Sequence, residues 1–235
     1  MDLPNFYEPF FNQPQHILSE ASSKHCSQVL RMKAGEHLQL TDGKGNVGKA
    51  IIVHAHTKNT EVKIEEIVNY KLQDPRFSIA ISLIKNSSRL EWFLEKATET
   101  GVYVIQPLIC AHTEKENFRY ERMNGILIAA MLQSKQAWLP QLHHPKKFEE
   151  FVSEAFDGIK LIAHCREGSR FIINALNVEN KNTLIAIGPE GDFSQLEIDT
   201  ALQKGFIPAS LGNTRLRTET AGIVAAALLN NLYLK

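Results

Sequence analysis

Ile187-Gly188-Pro189-Glu190-Gly191-Asp192-Phe193-Ser194 follows directly on the apolar run Leu184-Ile185-Ala186 and opens onto Ser194-Gln195-Leu196-Glu197, a capping box. A short apolar run, a glycine-bearing loop and a capped helix read together as strand, loop and helix. The same order recurs downstream. Ile207 to Leu211 is apolar, Gly212-Asn213-Thr214-Arg215-Leu216-Arg217-Thr218-Glu219 is mostly polar, and a helix from about Thr220 carries Ala225-Ala226-Ala227-Leu228-Leu229. Glycines let backbone amides come close to a ligand, and crevices at strand carboxyl ends are where open α/β sheets bind one. Taken singly, either loop reads equally as a solvated turn, with Thr218 or Thr220 as N-cap and Glu219 favouring the helix dipole. Two such loops in succession point to a shared site.

Working outward, the whole stretch after Pro75 alternates apolar runs with helix-period segments, as a sheet with covering helices does. Strands are expected at Phe77 to Ile84, Val102 to Ile109 and Leu161 to Ala163. Ser87 or Ser88 caps a helix bearing Leu90, Phe93, Leu94 and Ala97, which Gly101 ends. A further helix with Ile126, Leu127, Ala130 and Met131 stops before Pro140. The first 70 residues differ. Short alternating segments (Leu38 and Leu40; Ile51 to Val53; Val62, Ile64 and Ile67) are divided by the turns Asp42-Gly43-Lys44-Gly45 and Lys58-Asn59, with at most one helix near His25 to Met32. Lys71-Leu72-Gln73-Asp74-Pro75 reads as a linker. The expected organisation is therefore a small β-rich domain at 1–72 and an α/β domain at 73–235.

Composition bounds the setting. Of the 235 residues, 43% are hydrophobic and 22% charged, the balance of an ordinary folded protein. No run of eighteen apolar residues exists, and Met1-Asp2-Leu3-Pro4-Asn5 lacks the basic and apolar regions of a signal peptide. Cys26, Cys110 and Cys165 stand far apart, which suits free thiols in a reducing, cytoplasmic setting. Positive and negative side chains balance at 26 each, so any nucleic-acid surface has to come from local patches. Lys24, Arg31, Lys33, Lys44 and Lys49 form one candidate patch. Phe6, Tyr7, Phe10 and Phe11 read as core rather than as a base-stacking platform. The pairs His54/His56 and His143/His144 lack a third ligand, so no metal is expected. The glycine spacing matches neither GxGxxG nor GxxxxGK[ST], which disfavours a nucleotide-binding protein.

The two motif loops, in this order and spacing, resemble the paired signature of the ribosomal RNA small subunit methyltransferase E family. The resemblance extends to Val29-Leu30-Arg31, to Asp42-Gly43-Lys44-Gly45 and to the segment from Arg89 to Val102, and so covers the whole chain. It implies a SPOUT-type methyltransferase domain with a deep trefoil knot, an exception to the usual absence of knots, preceded by a PUA-like RNA-binding domain. It also implies S-adenosyl-L-methionine as cofactor, held by Ala163, His164, Ile187, Gly188, Pro189, Glu190, Gly191, Leu211, Gly212, Leu216, Thr218 and Ala221. The product would be N3-methyluridine in 16S ribosomal RNA, made on the small ribosomal subunit by a homodimer. RNA contacts are expected from Lys24, Arg31, Lys33, Lys44, Arg89, Gln133 and Arg215.

Uridine N3 carries a proton that must leave, and the resulting anion spreads charge onto both neighbouring carbonyl oxygens. Arg217 is the expected stabiliser, because its planar fork can serve a carbonyl pair. Glu190 and Glu219 are the candidates for orienting Arg217 or accepting the proton, and the sequence does not choose between them. The chain departs from the family pattern at Asp192, where many relatives carry a second glycine, and at Thr214, where many carry arginine. It also departs at His112-Thr113, in place of an Arg-Ser pair, and at Leu132 and Gln136, all positions that bear on RNA gripping. The competing readings are a SPOUT methyltransferase with another RNA target and a ribosome-assembly factor that binds RNA without catalysis.

Overall fold

Runs such as Ser78-Ile79-Ala80-Ile81 and Leu184-Ile185-Ala186-Ile187 are apolar on both sides of the chain, as strands buried on both faces must be. In the computed structural model, which describes residues 3–11, 14–165, 171–173, 176–178 and 181–233, they form the middle of a parallel sheet. Two compact units are present: residues 1–72 with 128–139, and residues 73–127 with 140–235.

The first unit is a five-stranded sheet. Its strands are β1 (Asn5–Tyr7), β2 (Gln15–Ile17), β3 (His37–Thr41), β4 (Asn46–His54) and β5 (Glu61–Asn69), in the order β1-β3-β4-β5-β2. The pairings are antiparallel except β1 with β3. A short helix, α1 (Glu20–Lys24), is capped by Ser19 and runs on into a π-helical turn over His25–Val29. Phe6, Leu38, Leu40, Ile52, Val62 and Ile64 form the core, so the expected alternation holds to Ile64. Beyond it, a bulge that sets Glu65 between two ladder pairs breaks the phase, and Ile67 is 36% exposed. The turn Asp42-Gly43-Lys44-Gly45 is closed by the Asp42 carboxylate, which accepts from the amides of Lys44 and Asn46. The same turn explains why 128–139 joins this unit. The Gly45 amide donates to Ala137 O, the Leu139 amide donates to Gly43 O, and the Trp138 indole donates to Tyr70 O.

The second unit contains β6 (Phe77–Ser82), α2 (Ser87–Glu99), β7 (Val104–Ile109), α3 (Tyr120–Ser134), β8 (Gln141–Leu142), β9 (Lys146–Lys147) and α4 (Phe148–Val152), α3 passing into the first unit from Ile128. It continues with β10 (Ile159–Ala163), β11 (Phe171–Ile172), β12 (Thr183–Ile187), α5 (Gln195–Gln203), β13 (Ile207–Ser210) and α6 (Thr218–Tyr233). The sheet order is β11-β13-β10-β12-β6-β7-β8, with β9 also on β7, and every pairing is parallel. Alternation along each strand splits the core in two. Ala80, Ile162 and Ala186 pack with Phe148, Phe151, Phe193, Ile198 and Ala201 on the α4/α5 side. Ile81 meets α2 and α6 on the other side.

One local reading needs correction. Asn86, not Ser87 or Ser88, caps α2: its short side chain accepts from the Ser88 amide, two residues on, as an N-cap requires. The capping box at Ser194 and Glu197 forms in full, and Gly101 leaves α2 with φ of 80°. Helices α2 and α6 approach so closely that a Cβ at Gly222 would lie 2.5 Å from the Phe93 ring. Gly222→Ala should therefore lower stability by about 1–3 kcal/mol through overpacking, although alanine is the better helix former. Urea unfolding followed by circular dichroism checks this, and an unchanged or raised midpoint would contradict the close contact.

Candidate functional site

Three strands set the site. β10 lies between β13 and β12, in parallel register with both, so Ala163 pairs with Ala209 on one side and Ile187 on the other. The loops that follow all three strands therefore leave the sheet at one edge, the position at which open α/β sheets bind ligands. They enclose a cavity of about 390 Å³. Its wall combines apolar groups (Ala163, Ile187, Ala209, Leu211, Leu216, Ala221) with His164, Cys165, Glu190, Asp192, Thr214, Arg215, Arg217 and Thr218, and is completed by Gly188, Pro189 and Gly212.

Of the residues expected to hold a cofactor, all but Gly191 line this cavity. Gly191 is exposed, and a Cβ there would lie 3.2 Å from His112, on the loop after β7. Arg217 and Glu190 are exposed on the wall, and Arg215, expected on RNA, is on the wall as well. Glu219 is not. It is buried in the first turn of α6, with Oε1 3.6 Å from Arg89 Nε on α2, while Oε2 has no hydrogen-bond partner among the described residues. Arg89, expected on RNA, thus pairs with a buried carboxylate of its own unit while its side chain stays partly exposed. Lys24, Arg31, Lys33 and Lys44 are exposed in the first unit, with Arg31 at φ of 55° and Lys44 above the Phe10 ring; Gln133 is exposed in the 128–139 segment.

The loops are fastened to each other by hydrogen bonds that the motifs only partly announce. Buried Thr218 Oγ1 donates to Gly188 O at 3.0 Å, locking the start of α6 to the loop after β12. Glu197, buried, accepts from the Ala111 amide and the Ser194 amide, both at 2.8 Å, and so ties the loop after β7 to the N-terminus of α5. Cys165, Asp192, Ala209 and Thr214 were not among the expected site residues. Their signal was position alone, beside the strand ends.

The wall fits S-adenosyl-L-methionine in kind. Its volume is that of a small-ligand site, it mixes apolar with polar side chains, and a Cβ at Gly212 (φ 135°) would meet no atom within 4 Å. Comparison with known proteins points the same way. Residues 70–230 match the RNA methyltransferase domain family, and residues 18–65 match the RNA methyltransferase PUA domain. Fold and site together define an α/β RNA methyltransferase with a β-rich PUA-like domain ahead of it. A ribosomal RNA small subunit methyltransferase E of Synechocystis is 32% identical over 222 residues, covering 92% of this chain and 72% of that protein. The crystal structure of a probable rRNA-methyltransferase from Porphyromonas gingivalis superposes with a TM-score of 0.91 at 38% identity, over 99% of each chain. That of a ribosomal RNA small subunit methyltransferase E from Neisseria gonorrhoeae, bound to S-adenosyl methionine, does so with a TM-score of 0.89 at 26% identity, over 98% of each. The chain belongs to the ribosomal RNA small subunit methyltransferase E family.

Thiol chemistry gives a direct check on the loop geometry. Cys110, at the end of β7, is buried, and burial with the Glu197 carboxylate nearby pushes its thiol up to about 12. Burial raises the Cys26 thiol as well, whereas Cys165 is exposed on the cavity wall. A raised thiol pKa means less thiolate at pH 8 than a free cysteine has, and burial also keeps the reagent out. Iodoacetamide at pH 8 should therefore modify Cys165 alone in the native protein, read by peptide mass spectrometry. Modification of Cys110 at a comparable rate would contradict the packing at the end of β7.

Proposed function

We propose that this protein uses S-adenosyl-L-methionine to methylate N3 of a uridine in 16S ribosomal RNA, acting in the cytoplasm on the small ribosomal subunit. The observation that carries the reading is the convergence of both motif loops on one cavity, with Arg217 and Glu190 on its wall. The family's members support the cofactor: the Neisseria relative was crystallised with it.

In this reading, Ala163, His164, Ile187, Gly188, Pro189, Leu211, Gly212, Leu216, Thr218 and Ala221 hold the cofactor, which supplies an electrophilic methyl group when bound. Arg217 presents its donor fork to the uracil carbonyls and stabilises the negative charge that appears when N3 loses its proton. Glu190 accepts that proton in this reading, which its exposure on the same wall supports. Glu219 is assigned elsewhere: buried against Arg89, it fixes the start of α6 and so positions Arg217 two residues before it. The first unit, with its exposed Lys24, Arg31, Lys33 and Lys44, serves as the RNA-gripping domain, aided by Gln133 and by Arg215. The reading carries with it a trefoil knot formed by the loops around β12 and β13, a domain boundary in the sequence between residues 72 and 73, and a homodimer. A net charge of zero is compatible with RNA binding when contacts are few and local.

Nucleoside mass spectrometry tests this, after incubation of the protein and cofactor with small subunits that lack the modification. N3-methyluridine is expected from the wild type. Arg217→Ala should form it about 10²–10³-fold more slowly, with cofactor affinity little changed. No methylated nucleoside despite tight cofactor binding would contradict the RNA target, and absence of cofactor binding would contradict the site.

A further inference from the structure

Asp192 is a non-glycine residue in the left-handed region, at φ of 65°, on the cavity wall. Aspartate tolerates this conformation better than most residues, but glycine adopts it at no cost. A side chain kept here has to act through its contacts. One carboxylate oxygen accepts from the Phe193 amide at 2.8 Å, within its own loop after β12. The other accepts from the Cys165 amide at 2.9 Å, on the loop after β10. The backbone of the same residue is held as well: its amide donates to Pro189 O at 2.9 Å, and its carbonyl accepts from His112 Nδ1 at 2.8 Å, on the loop after β7. Asp192 therefore touches the loops after β7, β10 and β12, and its carboxylate joins the last two. Bonds from amides to a charged acceptor are stronger than neutral ones, and Asp192 and Cys165 both line the cavity.

We propose that Asp192 is a positioning residue that clasps the loops after β10 and β12 and thereby sets the affinity of the cavity for S-adenosyl-L-methionine. The inference rests on the cofactor reading given above. A wall organised before the ligand arrives loses less freedom on binding, so a clasp of this kind is felt in affinity rather than in the chemical step. His112 contributes through the Asp192 carbonyl, which any residue at that position supplies, so its bond survives substitution of the Asp192 side chain.

The variants are Asp192→Gly and Asp192→Asn. Glycine keeps the backbone conformation and removes the carboxylate. Asparagine also tolerates the conformation, but its NH₂ group faces one of the two amides that the carboxylate serves. Three quantities are read: calorimetric affinity for S-adenosyl-L-methionine, hydrogen exchange of the Cys165 and Phe193 amides without cofactor, and the thermal midpoint without cofactor. Asp192→Gly should bind the cofactor about ten-fold more weakly, exchange the Cys165 amide about ten-fold faster, and melt within roughly 2 °C of the wild type, because relief of the left-handed strain offsets the lost bonds. Asp192→Asn should fall between the two in affinity. A general structural role would instead lower the midpoint in both variants in step with the affinity, which overturns the proposal. So would an Asp192→Gly affinity within two-fold of wild type, or unchanged exchange at Cys165. Should the wild type itself bind no S-adenosyl-L-methionine, the cofactor reading fails first, and the exchange of Cys165 still decides whether the clasp exists.

Discussion

The parallel register of β10 between β12 and β13 is the constraint on which everything functional depends. It sets Ile187 and Ala209 on either side of Ala163, and so delivers the loops that follow β10, β12 and β13 to one edge of the sheet. Parallel strands have to be buried on both faces, which accounts for the unbroken burial along β6 and β12. The small residues among them have their own reason. Ala80 and Ala186 let the aromatic layer of Phe148, Phe151 and Phe193 lie against one face, and Gly222 lets α6 lie against α2 on the other.

Around that edge, polar groups do work that the apolar core cannot. Thr218 locks α6 to Gly188, Glu197 joins the loop after β7 to the start of α5 through backbone amides, and the Asp192 carboxylate joins the loops after β10 and β12. Each is a side-chain acceptor or donor satisfying a backbone group that no strand or helix can pair, which irregular loops at a strand edge otherwise leave open. The site is therefore held by loops whose conformations are over-determined, as a site on loops needs to be if it is to be shaped before its ligand arrives.

Much of this was legible in the sequence because the decisive signals are local. The glycines, the capping box at Ser194 and the apolar runs each declare themselves within a few residues, and they place both motif loops at strand ends. What failed was what depends on distance or helical phase. Strands β8 and β9 have two residues each and α4 has five, too few for any period to show. The attachment of 128–139 to the first unit depends on the docking of the Asp42–Gly45 turn against Ala137 to Leu139, a pairing across the chain with no local mark. Glu219 looks from sequence like a companion of Arg217, yet the phase of α6 turns it inward to Arg89. Asp192 reads as a departure from a glycine, and only the fold shows which amides its carboxylate meets.

The measurement that goes most directly to the central claim is a crystal structure of the protein soaked with S-adenosyl-L-methionine. The account predicts the ligand in the cavity bounded by Ala163 and His164, by Gly188 to Glu190 and by Leu211 to Leu216, with its methyl group toward Arg217. Cofactor bound at any other surface, or an empty cavity at saturating ligand, would contradict it.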